Sequence, residues 1–325
     1  MEDIYFQESS PITELNRKLQ EIRAEIAKVI VGQEQVVDLL LTGLLCDGHL
    51  LLEGVPGVAK TLASKLLARI IDVNFSRLQF TPDLMPGDIV GTSVFNPKEG
   101  VFYFKPGPIF SNIVLIDEIN RSPAKTQSAL FEVMEERQVT VDGITHGMQY
   151  PFIVLATQNP IEQEGTYRLP EAQLDRFLFK INIGYPTLAE EILILTQQQG
   201  KTQNQLLQVA NKVLNASEVA KYREVVQNIN IDAKLIEYIA NIVHDTRSNS
   251  SLYLGASTRA SLAILKSAKA TAALSGRDFV IPEDIQKMAP HVLRHRIMLT
   301  PEKEMEGIST DELIENIIKG IEIPR

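Results

Sequence analysis

Leu50-Leu-Leu-Glu-Gly54-Val-Pro-Gly-Val-Ala-Lys60-Thr61 is the stretch on which the reading of this chain turns. An apolar run, a strand by its pattern, empties into a Gly/Pro turn, and a helical pattern covers residues 62–71. A phosphate-binding P-loop needs this strand–loop–helix context. Gly54, Val55, Pro56, Gly57, Val58 and Ala59 form the segment whose backbone N–H groups, Pro56 excepted, would cradle phosphates, and the helix dipole favours an anion there. Lys60 is placed to reach β/γ-phosphates and Thr61 to ligate Mg2+. The usual second glycine is Ala59. Alanine is disfavoured at positive φ, so the loop is expected to have joined helical geometry by that residue. An ordinary strand–turn–helix with a chance Lys-Thr is the competing reading.

Three more segments bear on that choice. Residues 113–118, Ile-Val-Leu-Ile-Asp-Glu, form an apolar run ending in two carboxylates. Continuous apolar runs mark buried parallel strands, and ligands bind at the C-terminal ends of such strands. Asp117 is placed to hold a Mg2+ shell and Glu118 to orient and deprotonate water. Residues 152–157 form another strand pattern, and Asn159 just beyond it fits a polar sensor of the γ-phosphate. Arg176, before the apolar run 177–183, is a candidate arginine finger. Arg259 falls in the first turn of a helix capped by Ser257 or Thr258. A cation there opposes the helix dipole and implies an anionic partner, here a nucleotide phosphate.

Composition narrows the class. A length of 325 residues suggests two domains, and 44% apolar with 22% charged residues fits a globular protein. A net charge of −9 argues against a dedicated nucleic-acid surface. No apolar run has the length of a membrane span. The first seven residues lack a basic segment and an apolar core, so no secretory signal is expected and a cytoplasmic location is. Cys46 is the single cysteine and reads as a small buried apolar residue. His291 and His295 have metal-ligand spacing but no third ligand, so they read as two unconnected surface histidines. Arg294-His-Arg296 reads first as a solvated helix end and second as a phosphate or subunit contact.

Along the chain, helices are expected over 12–29 and 35–46. Residues 81–110 are rich in Pro, Gly and Asp with strand-like pieces at 92–96 and 100–105; a loop this long is usually functional. Residues 138–142 and 145–150 suggest a hairpin turning at Asp142-Gly143. Ser122 is expected to cap the helix that Pro123 opens. Beyond a hinge at 184–187 the pattern is helical, over 188–199, 217–227, 232–248, 257–274 and 282–298. Residues 197–208 read as an exposed Gln-rich loop, and one short helix at 310–318 follows Pro301.

The ordered set Gly54–Thr61, Asp117-Glu118, Asn159, Arg176 and Arg259 resembles an AAA+ ATPase. The wording is more closely similar to the MoxR family: Gly54-Val-Pro-Gly-Val-Ala-Lys-Thr61, Phe80-Thr-Pro-Asp-Leu-Met-Pro-Gly-Asp-Ile-Val-Gly91, Asp117-Glu-Ile-Asn-Arg121, Ala156-Thr-Gln-Asn-Pro160, Leu169-Pro-Glu-Ala-Gln-Leu-Asp-Arg-Phe177 and Gly255-Ala-Ser-Thr-Arg259. The match spans residues 29–300, and Ala59 is a habit of that family. Arg168 stands where the family often has proline and offers a second arginine near the finger.

The resemblance implies an α/β AAA+ P-loop core over residues 1–186, a five-stranded parallel sheet between helices, and an all-helical lid over 187–325. It implies hairpin insertions near 81–110, directed towards a ring pore, and near 138–150. ATP and Mg2+ are the implied cofactors, with Val31 and Gly32 against the adenine and Arg259, like Asn159, on the γ-phosphate. Arg176 would act on the next subunit of a ring homo-oligomer, a hexamer. The implied activity is ATP-driven remodelling of protein clients, with a von Willebrand factor A protein among the partners. Two other readings compete. A motor on nucleic acid is opposed by the charge. A nucleotide-gated scaffold without turnover is opposed by the full set Asp117, Glu118 and Asn159.

Overall fold

The computed structural model describes residues 10–55, 57–159, 166–200 and 202–324. Pro56 lies outside the described residues. Two helices lead: α1 (Pro11–Ala27), capped by the Ser10 hydroxyl and opened by proline, and α2 (Glu34–Leu45). Then come β1 (His49–Gly54), α3 (Lys60–Ile70), β2 (Phe75–Gln79) and the short α4 (Pro86–Val90). An antiparallel hairpin, β3 (Gly91–Asn96) with β4 (Val101–Pro106), precedes β5 (Ile113–Asp117) and α5 (Ala124–Glu136). A second hairpin pairs β6 (Gln138–Val141) with β7 (Ile144–Gly147) around left-handed Asp142 and Gly143. After it come β8 (Ile153–Gln158), α6 (Glu171–Leu174) and β9 (Phe177–Ile183).

The central sheet has the order β2-β5-β8-β1-β9, with every pairing parallel. The inner strands β5 and β8 and most of β1 are apolar and buried because both faces are covered, whereas the edge strand β2 carries Ser76, Arg77 and Gln79. Alternate side chains feed two cores: Leu50, Leu52, Ile113 and Leu115 join α1–α3, while Leu51, Val114 and Ile116 join α5. The register sets Glu53 beside Gln158 and Gln79 beside Asp117, so the loops after β1, β5 and β8 open at one end of the sheet. The two hairpins are tied to each other. Ser93 hydrogen-bonds Asp142, and His146 stacks on Phe104 with ring centroids 4.3 Å apart.

The rest is mainly helical: α7 (Leu188–Gln198), α8 (Gln203–Val209), α9 (Ala216–Gln227), α10 (Ala233–Ser248), α11 (Thr258–Leu274), α12 (Pro282–Leu293), α13 (Pro301–Met305) and α14 (Thr310–Gly320). A short antiparallel pair, β10 (Leu252–Leu254) with β11 (Met298–Leu299), braces it. Buried Ala260, Ala263, Ala268 and Ala272 let α11 approach α12, α1 and α2 closely. Tyr222, Ile264 and Leu293 therefore share one apolar cluster with the helices that cover the sheet. These helices flank the sheet at α1, α2 and β9.

Several local expectations fail for tertiary reasons. The segment expected as an exposed loop, 197–208, contains α8: the Thr202 hydroxyl caps it, and Leu206 is buried. Ser122 does not cap α5; Pro123 holds the cap position and Ser122 is fully buried. The helix expected to reach residue 298 ends at Leu293, because Met298 pairs with β10. A short α13 was not expected between Pro301 and α14.

Arg294, His295 and Arg296 are not a solvated end, and the histidines are not on the surface. β9 is an edge strand, and its outward carbonyls need donors. Arg294 donates to the Lys180 carbonyl at 3.3 Å, His295 Nε2 to Phe177 at 3.0 Å and Arg296 to Leu178 at 3.2 Å. Arg296, 3% exposed at its side chain, also meets Asp175 at 2.7 Å. Burial pushes His295 well below its ordinary value and His291 down to about 4. Among the described residues no three His, Cys, Asp or Glu side chains cluster as a metal site.

Candidate nucleotide site

The loop between β1 and α3 turns through two left-handed residues, Gly57 at φ 90° and Ala59 at φ 59°. The expectation that Ala59 has already joined helical geometry is therefore wrong. Ala59 is the N-cap of α3 and takes the conformation that glycine usually supplies, at a cost of about 1 kcal/mol. The Lys60 side chain folds back to hydrogen-bond the Gly54 carbonyl. Burial pushes its ammonium below the ordinary value, against the pull of Asp117, Glu118 and Glu53.

A cavity of 400 Å3 opens beside this loop, lined by Lys60, Thr61, Arg77, Asp117, Glu118 and Asn159 together with Gly57 and Ala59. Of the described residues beyond 187, Gln198 on α7 alone lines it. Asp117 ends β5, and its Oδ2 accepts from Arg77 Nε at 2.6 Å. Thr157 on β8 links the two acids: its hydroxyl donates to Asp117 Oδ1 at 3.3 Å and accepts from the Glu118 amide at 3.0 Å. Glu118 is left-handed at φ 57° and its Oε2 meets Gln79 Nε2 at 2.7 Å and Arg121 Nε at 3.0 Å. The cavity thus sets two carboxylates against cations and amide donors around open space. Asn159, at the end of β8, is buried beside them.

Arg77, Gln79 and Thr157 were not singled out from sequence. A signal exists for the first two: Phe75-Ser-Arg-Leu-Gln79 alternates, placing Arg77 and Gln79 on one face of β2. Their partner strand, β5, lies about forty residues away in the chain, so only the sheet register reveals the contact.

Val31 and Gly32 line a second cavity of 790 Å3 between α1, α2 and α7, with Ile30, Val37 and Leu193. Gln33 ties this segment to the loop through the Val58 carbonyl at 3.4 Å. Gly32 is left-handed, and a Cβ there would strike Glu190 of α7.

Arg176 and Arg259 are not brought to the P-loop cavity. Arg259 enters on the N-terminus of α11, which Ser257 caps, and donates to Glu135 of α5 at 2.9 Å. Arg176 donates to the Phe131 carbonyl and its Nε lies 3.8 Å from the same Glu135. Arg259 also lies 3.8 Å from Asp175. Arg259 thus lies apart from the P-loop cavity of its own chain, because packing of α11 on α12, α1 and α2 carries its start to the α5–β9 side. Arg168 is exposed and lies 3.7 Å from Glu171.

Residues 49–179 match the ATPase family associated with various cellular activities (AAA), and residues 244–317 match the AAA lid domain. The chaperone MoxR1 of Mycobacterium tuberculosis is 46% identical over 310 residues, covering 93% of this chain and 81% of the relative. YeaC of Bacillus subtilis is 48% identical over 299 residues, 92% of each chain. The crystal structure of a candidate ATPase from Cytophaga hutchinsonii superposes with a TM-score of 0.90 at 43% identity, over 97% of both chains. With the parallel sheet, the P-loop cavity and the helical lid in place, these likenesses fix the family: the chain belongs to the MoxR family of AAA+ ATPases.

Proposed function

We propose that the protein hydrolyses ATP with Mg2+ at the P-loop cavity and, as a ring of identical subunits, uses that cycle to remodel partner proteins. One observation carries the reading: Lys60, Thr61, Asp117, Glu118 and Asn159, from three strand ends, line a single cavity. The loop amides and the N-terminus of α3 receive the phosphates. Lys60 leaves the Gly54 carbonyl to meet the β/γ-phosphates. Thr61 and Asp117 are hard oxygen donors that suit Mg2+, an ion usually held by one or two protein ligands together with substrate phosphates. Mg2+, when bound, neutralises phosphate charge. Glu118 takes the proton of the attacking water, and Asn159 fixes the γ-phosphate end. Val31 and Gly32 flank the adenine.

Arg176 and Arg259 serve the neighbouring subunit's ATP. Their support is placement: both lie on Glu135, away from their own loop. A finger that must come from outside makes turnover depend on assembly, and a hexamer is the ring we propose. The chaperone name of the mycobacterial relative supports protein clients; a von Willebrand factor A protein among them follows from the family resemblance alone. The charge of −9 disfavours nucleic acid, and the single cysteine suits a reducing cytoplasm.

Glu118→Gln tests the chemistry. It should retain ATP-dependent stabilisation and lose turnover by about 10² to 10⁴. Undiminished turnover would place the base elsewhere; lost binding would make Glu118 structural.

A further inference from the structure

Asp117 presents a carboxylate at the end of a fully buried strand, its side chain 11% exposed. A charge in such a place needs a counter-charge. The counter-charge in contact with it is Arg77, whose Nε donates to Oδ2 at 2.6 Å, while the Thr157 hydroxyl holds Oδ1. The sheet register sets Arg77 opposite Leu115, so its side chain runs forward along the strands to reach Asp117. β2 is an edge strand, and the Arg77 side chain is 51% exposed. The guanidinium can therefore leave Asp117 for solvent without opening the core.

We infer that Arg77 is a surrogate cation for the metal position. It occupies the Asp117 oxygen that the divalent ion uses, directly or through a bound water, and it gives that oxygen up when Mg2+ arrives with the nucleotide. The inference rests on the reading of Asp117 as the metal-side carboxylate. Arg77 is then a positioning residue with two effects. It holds the Asp117 carboxylate in place at the cavity wall. It also competes with Mg2+, so metal-free nucleotide meets one more cation than Mg2+-nucleotide does.

The competition can be measured without turnover. The protein is saturated with the non-hydrolysable analogue adenylyl imidodiphosphate, and its melting temperature is followed as Mg2+ is raised from zero. Arg77→Gln and Arg77→Ala should reach half of the Mg2+-dependent rise at about tenfold lower Mg2+ than wild type, the scale of one charge-assisted hydrogen bond. Arg77→Lys, which restores the point charge, should move back towards wild type. An unchanged half-point in the Gln and Ala variants overturns the inference, and a higher one reverses it, because Arg77 would then support the metal. Asp117→Asn separates the two levels of the argument. It should abolish the Mg2+-dependent rise with Arg77 present or replaced; if the rise survives, the metal reading of Asp117 fails, whatever Arg77 does.

Discussion

The P-loop cavity and the Glu135 cluster are both meetings of arginine and carboxylate, and they are built oppositely. In the cavity, Asp117 and Glu118 stand on strand ends around 400 Å3 of open space, with Arg77 and Arg121 reaching in from one side. In the cluster, Arg176 and Arg259 converge on one carboxylate beside a pocket of only 190 Å3, and Arg176 also holds a backbone carbonyl. The first region has room for a ligand and shape around it. The second has cations parked on a face. On the function proposed above, the arginines of the second region complete the first region of a neighbouring chain rather than of their own.

Breaking the second region should have the largest effect on rate. An arginine finger is worth about 10³ to 10⁵ in turnover and nothing in the ground state. Arg176→Ala should therefore bind ATP normally and hydrolyse it slower by that factor. Mixing Arg176→Ala with Glu118→Gln should recover part of the activity, since mixed rings contain interfaces with both residues intact. Dead mixtures from variants that still assemble would place the finger in cis or on Arg168.

The clamp behind that region is the next lever. Arg296, on the segment after α12, meets Asp175 at 2.7 Å inside the protein, and Asp175 also accepts from Ser257 at the start of α11. Arg296→Ala removes a buried guanidinium from the partly buried Asp175 and from the Leu178 carbonyl, and should cost about 3 to 5 kcal/mol of folding stability, read by denaturant unfolding. A loss under about 1 kcal/mol would mean that the edge of β9 is held by Arg294 and His295 alone.

The first region answers to Lys60. Nucleotide at 100 times its Kd stabilises a native protein by about 2.7 kcal/mol. In Lys60→Ala the ATP-dependent rise in Tm should largely vanish, while the Tm without nucleotide stays near wild type. A full ATP-dependent rise in the variant would put the nucleotide elsewhere, and the comparison of two half-sites would collapse. Ala59→Gly is the finest probe. It relieves left-handed strain but adds freedom to the unfolded chain, so the net change in stability should be under about 1 kcal/mol in either direction. A larger loss would show that the alanine methyl packs in a way the cavity requires.

The two regions also differ in how much of them can be read from sequence. The P-loop, Asp117-Glu118 and Asn159 announce themselves because each directly follows an apolar run, and strand ends in a parallel sheet converge by construction. Arg77 and Gln79 reach the same cavity, yet they come from β2, whose alternation says only that they share a face. The destination of Arg259 is set by how tightly the alanines of α11 pack, and no local pattern encodes that. Arg294, His295 and Arg296 look like a surface patch until β9 proves to be an edge with carbonyls in need of donors. Ala59 shows the same limit at smaller scale: conformational preference predicts one geometry, and the loop imposes another.

The tie between the hairpins has a mechanical consequence. Phe95 and Phe102 stand as an exposed pair on the first hairpin, rings 5.1 Å apart, and its root is α4. Through Phe104 on His146 and Ser93 on Asp142 the same hairpin leans on the second, whose root is α5. The pair behaves as a braced frame with two footings. A load applied at the aromatic tip divides between them, and the share that enters α5 arrives on the helix whose Glu135 holds Arg176 and Arg259.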